Sequence, residues 1–237
     1  MEQVPERARG SVWAREAGKR RPALTREAIV EAAMAIADTE GLAAVSMRRV
    51  AAELGARTMT LYSHIERKED LLDLMFDQVA HESCVTARLP GGWREATEVI
   101  ARATRAASLR HPWVVDLAGR RPKAGPNGLR HVEQSLAALS GLEVDDEVKW
   151  RILIAVDDYT LGHVVREVVE LDTFRRGRDV AEEREVSLPS YLTELLAGGE
   201  YPNLAPVLTG GLRPADDNFE RGLKWLLDGI AAELPLS

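Results

Sequence analysis

The chain has 237 residues, 45% of them apolar and 5% aromatic, with a formal net charge of −7 and one cysteine, Cys84. A single cysteine excludes an internal disulfide, and no apolar run approaches the ~18 residues that a membrane span needs. The first residues are charged rather than an apolar signal segment, so we expect a soluble, cytoplasmic protein with no membrane partner. Abundant Ala and Leu, with short β-branched runs, favour an all-α fold.

Charge is distributed unevenly along the chain. Residues 1–68 carry 12 Lys and Arg against 9 Asp and Glu, whereas residues 69–237 carry 19 against 29. A basic first part on an acidic remainder is typical of a small nucleic-acid-reading end attached to a second domain. Residues 1–24 form a polar arm that ends in a basic cluster, Lys19–Arg20–Arg21. Such an arm either contacts phosphates or the minor groove, or is a solvated tail; both interpretations are open.

Three short helices are predicted after the arm. Thr25 is placed to cap a helix that runs to about Asp38 and ends at Gly41, and Ser46 is placed to cap a second. Gly55 stops the second helix because glycine adopts positive φ readily. A third helix, roughly Thr58 to His64, is anchored by Leu61 and Ile65. This is the pattern of a helix-turn-helix, in which the last helix enters the DNA major groove.

The third helix presents hydroxyls, one aromatic ring and an imidazole on its outward side, which suit base edges, thymine methyl groups and phosphates. Arg48 and Lys68 flank this surface and are placed to contact the phosphate backbone. The predicted DNA-contacting residues are Arg48, Arg57, Thr58, Met59, Thr60, Tyr62, His64 and Lys68.

The remaining chain reads as a helical body. We expect a helix from about Lys68 to Cys84 that touches both parts, and place the boundary near residue 70, giving an arm (1–24), a head (25–70) and a body (71–237). Further helices are expected over Trp93–Arg110, about Leu129–Leu139, about Asp145–Asp172 and from about Asp216 or Asp217 to Leu234. Residues 120–128 and 173–214 are expected to be loops, the second with a short helix at Ser190–Ala197.

The long Asp145–Asp172 helix is apolar on more than one face, and Gly222 and Gly229 lie on one side of the last helix. Closely approaching partner helices would explain both features, and two copies of these helices would form a four-helix dimer bundle. The predicted dimer-interface residues are Val164, Val168, Gly222, Leu226, Gly229 and Ile230.

Polar and aromatic residues on otherwise apolar body helices are candidates for lining a small-molecule pocket, although core or interface roles are equally open. His81 and Cys84 lack a second pair at metal-ligand spacing, so no metal site and no cofactor are expected. An α-helical enzyme is the main alternative class, but the sequence has no glycine-rich phosphate loop and no nucleophile elbow. A protein-interaction module without DNA binding is the third reading, and it would not require Arg48, Tyr62 and Lys68.

The stretch from Leu24 to Met75 resembles the DNA-binding head of tetracycline-repressor (TetR) family regulators. The residues that carry the resemblance are Glu40, Gly41, Leu42, Ser46, Val50, Leu54, Gly55, Leu61, Tyr62, His64, Lys68, Leu71 and Leu72. The body is also similar, through Trp93, His111, Arg120–Arg121–Pro122, Thr160–Leu161–Gly162 and the Phe219–Ile230 helix. The resemblance implies a homodimer that binds a palindromic operator, by default as a repressor, and that a small-molecule effector releases.

The sequence also departs from the family pattern. Arg57 and Arg67 stand where helix-capping residues are usual and are placed to contact phosphates instead. Cys84 stands where tetracycline repressors have a pocket histidine, and Arg166 replaces an acidic residue, which argues against tetracycline–magnesium as the ligand. The candidate effector-binding residues are Cys84, Thr104, Trp113, Leu117, His131, Gln134, Tyr159 and His163. Effector and operator identities stay open.

Overall fold

The computed structural model describes residues 24–118, 125–178, 190–209 and 218–234, and within these ranges the regular structure is helical, with no strand. The all-α prediction is therefore confirmed. The basic arm, the Arg120–Arg121–Pro122 segment and parts of the 173–214 loop lie outside the described residues.

The helices follow one another in a head-then-body order. They are α1 Arg26–Glu40, α2 Met47–Glu53, α3 Thr58–Tyr62, α4 Lys68–Ser83, α5 Trp93–Arg110, α6 Val114–Ala118, α7 Pro126–Ala138, α8 Asp146–Arg178, α9 Ser190–Ala197, α10 Ala205–Thr209 and α11 Asn218–Glu233, with a 3₁₀ turn at Leu42–Ala44 between α1 and α2.

The predicted helix caps of the head are confirmed. The Thr25 hydroxyl accepts a hydrogen bond from the Ala28 amide at 3.2 Å, and the Ser46 hydroxyl accepts one from the Arg49 amide at 3.2 Å. These bonds satisfy amides that a helix N-terminus otherwise leaves unpaired. Gly41 ends α1 with φ 84°.

One hydrophobic core joins the head to the start of the body. Its buried residues run from Ile29 on α1 to Met75 and Val79 on α4, and continue to Trp113 and Leu117 beside α6. Helix α4 therefore belongs to both parts, as predicted. Because the core crosses residue 70 without a gap, the division into head and body at that position stays a prediction.

The body is held by two further apolar clusters. In one, Phe219 and Leu223 of α11 pack against Ala101 of α5 and Val156 of α8. In the other, Leu139 after α7 packs against α8. Both clusters contain residues of α8, which therefore lies at the centre of the body. Burial of these side chains stabilises the body by roughly 25 cal/mol per Å² of apolar surface.

Some helix limits differ from the sequence predictions. Helix α7 begins three residues before Leu129, with Pro126 in its first turn, where the missing proline N–H costs nothing. Helix α8 continues six residues beyond Asp172. Helix α10 lies inside the predicted loop and was not predicted, whereas the helix at Ser190–Ala197 was. None of the described helices has the length and apolarity that a membrane span requires.

Candidate DNA-binding surface and effector cavity

Helix α3 is positioned by a tight turn and two buried anchors. Gly55 has φ 59°, and the Ala56 amide donates to the Ala51 carbonyl at 2.9 Å, which closes α2 and redirects the chain. Leu61 is fully buried and Ile65 is 3% exposed, so they fix α3 against the head. The opposite side of α3 must consequently face solvent.

The outward side of α3 carries the predicted DNA-contacting residues. Met59 is 76% exposed and Tyr62 is 41% exposed. Thr60 is also exposed, whereas Thr58 and His64 are partly buried. Met59 and Tyr62 thus give the outward side of α3 an apolar and an aromatic side chain that are open to a partner.

Basic side chains border α3 on both sides. Arg48 of α2 and Arg57 before α3 are exposed, and Lys68 at the start of α4 is partly buried. None of the three forms an ion pair with any residue in the described part of the chain. In contrast, Arg49 bridges Glu40 and Glu53 at 2.6 and 2.7 Å, and these hydrogen bonds raise its pKa. The Arg49 side chain is thus paired within the head. The side chains of Arg48, Arg57 and Lys68 remain available to contact phosphates.

The two arginines at the unusual cap positions differ. Neither Arg57 nor Arg67 makes a side-chain cap hydrogen bond. Arg67 pairs with Asp70 at 2.8 Å instead, and this hydrogen bond raises the pKa of Arg67. Arg57 is therefore the better placed of the two for a phosphate contact.

The body contains a cavity of about 330 Å³ between α4, α5, α6, α7 and α8. Its volume is near the lower end of the ~300–1,000 Å³ range of small-molecule sites. Apolar side chains dominate the walls, among them Phe76, Val79 and Val132. Asp157 and His131 supply polar groups to the same space.

Two of the eight predicted effector residues, Thr104 and His131, line this cavity. Gln134 instead holds the chain after α4, since its amide donates to the Val85 carbonyl at 2.7 Å and accepts from the Val85 amide at 2.9 Å. The Cys84 thiol, which contacts the Ala80 carbonyl, and the fully enclosed Leu117 are not among the lining residues. Burial raises the pKa of the Cys84 thiol.

Tyr159 and His163 brace α11 rather than line the cavity. The Tyr159 hydroxyl donates to the Phe219 carbonyl at 2.7 Å, and the His163 ring meets the Phe219 ring edge-on. Glu167 lies 2.8 Å from His163 Nε2 and accepts from Arg105 at 2.6 Å. These contacts tie α5, α8 and α11 together.

Trp113 connects the body to the head. Its indole Nε1 donates to Asp38 Oδ1 of α1 at 2.6 Å, and His111 Nδ1 lies 2.8 Å from the same oxygen. His111 Nε2 lies 3.2 Å from the carboxylate of Glu82 on α4. Burial raises the pKa of Glu82, but hydrogen bonds from Arg110 and His111 outweigh it, so the pKa is lowered overall. We call the residues Asp38, Glu82, His111 and Trp113 the junction.

A second link joins α4 to the cavity wall. Asp77 of α4, 7% exposed, accepts hydrogen bonds from the amides of Asn127 and Gly128 at 3.0 and 2.9 Å and from Asn127 Nδ2 at 3.0 Å. The N-cap of α7 is Gly125, which has no side chain to cap the helix. A Cβ at Gly125 would lie 2.4 Å from the Asp77 carboxylate carbon. Asp77 therefore caps α7 from a neighbouring helix.

The predicted dimer residues fall in different environments. Gly229 and the neighbouring Trp225, which is 64% exposed, lie on the open side of α11. Leu226, Ile230 and Val168 are partly buried. Val164 is fully buried and lines the cavity, so the structure places it inside the body instead.

A contact within the chain already explains Gly222. A Cβ there would lie 2.3 Å from the Tyr159 hydroxyl. In contrast, a Cβ at Gly229 would meet nothing within 4 Å. Helix α8 also exposes apolar residues outside its core face, namely Trp150, Ile154, Val165 and Val169, while the partly exposed Leu161 lies at the edge of the cavity. Of the two glycines, Gly229 alone therefore keeps room for the close partner that the sequence predicted.

Sequence reasoning missed Asp77 and Asp157. Asp77 interrupts the apolar stripe of α4, and Asp157 and Asp158 interrupt the apolar residues in the middle of α8. These carboxylates among apolar residues were the available signal. No group of three or more His, Cys, Asp or Glu that could hold a metal occurs within the described ranges.

Comparison with known proteins gives matches over both parts. The family model described as "Bacterial regulatory proteins, tetR family" matches residues 29–75. The model described as "Tetracyclin repressor-like, C-terminal domain" matches residues 87–234.

Individual relatives agree with this. The HTH-type transcriptional repressor DrrR1 of Streptomyces coeruleorubidus is 40% identical over 89% of this chain and 78% of its own length. An HTH-type transcriptional regulator of Saccharopolyspora erythraea is 35% identical over 96% and 94%. The structure of the Streptomyces coelicolor TetR family protein ActR in complex with actinorhodin superposes with a TM-score of 0.70 at 29% identity, covering 90% of this chain and 98% of ActR.

These matches span the helix-turn-helix surface and the cavity-bearing body together, in the same order along the chain. A model that matches well over half of the chain, with relatives at this level of identity, shows that the chain belongs to the tetracycline-repressor (TetR) family of DNA-binding transcriptional regulators.

Proposed function

We propose that the chain is a homodimeric repressor whose α3 helices read a palindromic operator and whose body cavity binds the small molecule that releases it. The observation that carries the proposal is the exposed surface of α3, with Met59 and Tyr62 outward and Arg48, Arg57 and Lys68 around it. In this arrangement the arginines and the lysine hold phosphates, and the threonines, Met59 and Tyr62 contact base edges. A protein-interaction module would not need these cations beside a helix-turn-helix.

Dimerisation follows from operator geometry and from the exposed apolar face of the body. Two α3 helices must reach successive major grooves about 34–36 Å apart, so the protein needs a symmetric partner. We assign the interface to the open sides of α8 and α11, with Trp225, Gly229 and Val165 in contact with the partner. Large exposed apolar side chains such as Trp225, 64% exposed, then become buried.

The cavity is the proposed effector site. ActR, which shares the fold over nearly its whole length, has been solved with actinorhodin. In the present chain the cavity touches α4 through Phe76 and Val79, the helix that also carries Lys68. An effector in the cavity is therefore one helix away from the DNA-binding surface.

We assign no catalytic activity to the chain, because it belongs to a family of regulators and the cavity is mostly apolar. A repressor acts where the chromosome is, so we place the protein in the cytoplasm.

Operator binding tests the proposal directly. Fluorescence anisotropy with the DNA upstream of its own gene should show tight binding that weakens steeply with salt. Tyr62→Ala should weaken binding at least about tenfold, since a good base contact contributes roughly 1–3 kcal/mol. Lys68→Ala should weaken binding to all sequences and lower the salt slope by about 2 for a dimer, one phosphate contact per head.

A matched control comes from the body. Tyr201 is 41% exposed, as Tyr62 is. Tyr201→Ala should leave operator affinity unchanged. If Tyr62→Ala and Lys68→Ala bind DNA as tightly as Tyr201→Ala does, the assigned surface is wrong.

A further inference from the structure

The polar groups of the cavity fall into two sets. One set is already satisfied within the protein: the hydroxyls of Ser83, Thr104 and Thr160 donate to backbone carbonyls at 3.0, 3.0 and 2.8 Å, respectively. Asp77 is occupied by the first turn of α7. None of these groups needs a ligand.

Four lining side chains make no hydrogen bond or ion pair at the atoms that face the cavity, among the described residues: Ser108, His131 at Nδ1, Asp157 and Asp158. Of the two carboxylates, Asp158 is exposed and Asp157 is partly buried. His131 Nδ1 is fully buried and makes no hydrogen bond to any described residue. The Asp157 carboxyl, on α8 of the same cavity, forms neither an ion pair nor a hydrogen bond with any described residue. Burial, and then the charge of Asp158, raise the pKa of Asp157 to about 6. A native protein rarely leaves a fully buried atom such as His131 Nδ1 unpaired without a functional reason.

We propose that the cavity binds an apolar molecule carrying a protonated amine, with the Asp157 carboxylate as its counter-ion and His131 Nδ1 as a second polar contact. This inference rests on the proposed role of the cavity as the effector site and adds the chemical class of the effector.

Among the described residues, the charged groups of the cavity lining favour a positively charged ligand. Every charged residue in the described lining is acidic: Asp77, Asp157 and Asp158. Burial lowers the pKa of His131, so its imidazole is neutral at pH 7 and contributes no positive charge. An ammonium group therefore meets an unpaired carboxylate, whereas a ligand carboxylate meets like charge in a poorly solvated space.

The lining residues and the volume of the cavity determine which apolar group the ligand can carry. Phe76, Val79, Val114, Val132, Leu161 and Val164 provide an apolar enclosure. At about 330 Å³ the space fits a compact aromatic or aliphatic ring system better than an extended chain. Residues 119–124, which include Arg120, Arg121 and Lys123, lie outside the described residues. A matched anionic compound is therefore included in the test.

The test uses the full-length protein and two compounds that differ only in charge, 2-naphthylmethylamine and 2-naphthoic acid. Isothermal titration calorimetry at pH 7.5 should show that the amine binds at least about tenfold more tightly than the acid, because charge-assisted hydrogen bonds are the strong ones. Asp157→Asn keeps the size of the side chain and should remove that preference. The exposed Asp116 of α6 is the matched control, and Asp116→Asn should leave it intact.

The outcomes separate this inference from the proposed function. Equal affinity for the two compounds, tighter binding of the acid, no binding of either at millimolar concentration, or an amine affinity that Asp157→Asn does not change, each overturns the assignment of an amine. Operator binding by the same samples without either compound tests the repressor proposal independently. Asp116→Asn should bind DNA as the wild type does.

Discussion

Asp77 joins α4 to the cavity wall, because it accepts hydrogen bonds from the first turn of α7. Substitution of Asp77 should therefore destabilise the protein. Asp77→Ala removes an acceptor that is 7% exposed and leaves the amides of Asn127 and Gly128 without a partner. Loss of an N-cap costs about 0.5–2 kcal/mol, and a buried unsatisfied amide about 1–3 kcal/mol. Because these costs overlap, we expect a loss of about 3 kcal/mol in the free energy of unfolding.

That loss should lower the Tm by about 6–12 °C, at the roughly 2–4 °C per kcal/mol typical of a chain of this size. Differential scanning calorimetry should be run at one fixed protein concentration, because the stability of a dimer depends on it. Asp116→Ala, on the exposed side of α6, is the control and should stay within about 1 °C of the wild type. A Tm for Asp77→Ala within about 2 °C of the wild type would refute the capping argument.

Gly125 provides an internal check on the same reasoning. Gly125→Ala places a Cβ 2.4 Å from the Asp77 carboxylate carbon and must displace that side chain. We therefore expect Gly125→Ala to destabilise the wild type by at least about 1 kcal/mol, but to cost much less in the Asp77→Ala background. Additive effects of the two substitutions would show that Asp77 is not what excludes a side chain at position 125.

Two further substitutions test the charge in the cavity and the dimer. The pKa of Asp157 is raised to about 6, above its ordinary 3.8, so the folded state binds a proton more tightly than the unfolded state does. The contribution of Asp157 to stability should consequently fall as the pH rises from about 4 to about 6. Relative to the wild type, Asp157→Asn should therefore gain about 1–3 kcal/mol in the free energy of unfolding between pH 4 and pH 7, as measured by denaturant unfolding of both proteins at the two pH values. At the proposed dimer face, Gly229→Arg together with Trp225→Glu should convert the dimer into a monomer in multi-angle light scattering. The matched pair Gly141→Arg and Tyr191→Glu, at exposed positions on neither α8 nor α11, should leave it dimeric.

The head could be predicted in detail because its signals are local. Thr25 and Ser46 are cap residues followed by apolar residues at helical spacing, and Gly55 is the residue that a left-handed turn favours. The limits of α1 and α2 differ by only a few residues from prediction. Helix α3 is two residues shorter than predicted, since it ends at Tyr62 before Ser63, whose hydroxyl donates to the Thr60 carbonyl at 2.7 Å.

The cavity could not be predicted in the same way, because its residues come from five helices that are distant in the sequence. Trp113 and Tyr159 carry the same polar-aromatic signal as His131, yet Trp113 pairs with Asp38 of the head and Tyr159 with the backbone of α11. Whether such a residue lines the cavity or contacts another helix depends on how α1 and α11 pack against the body, which the sequence pattern does not show. For Gly222 likewise, the neighbour that excludes a side chain is Tyr159, sixty-three positions earlier and on another helix.

Two sets of contacts connect the cavity to the head. Their geometry constrains how a ligand in the cavity can release the protein from DNA. In the first connection, α7 forms a wall of the cavity and its first turn donates hydrogen bonds to Asp77 of α4. In the second, Ser108 and Val114 line the cavity next to the junction, where the Trp113 indole donates to Asp38 of α1 at 2.6 Å. Helices α1 and α4 share one continuous, closely packed core. A ligand that displaces either helix must therefore displace the whole head. In a dimer fixed at α8 and α11, that motion changes the distance between the two α3 helices. Base contacts are made at about 2.7–3.2 Å, so a displacement of a few ångströms per head suffices to lose the operator.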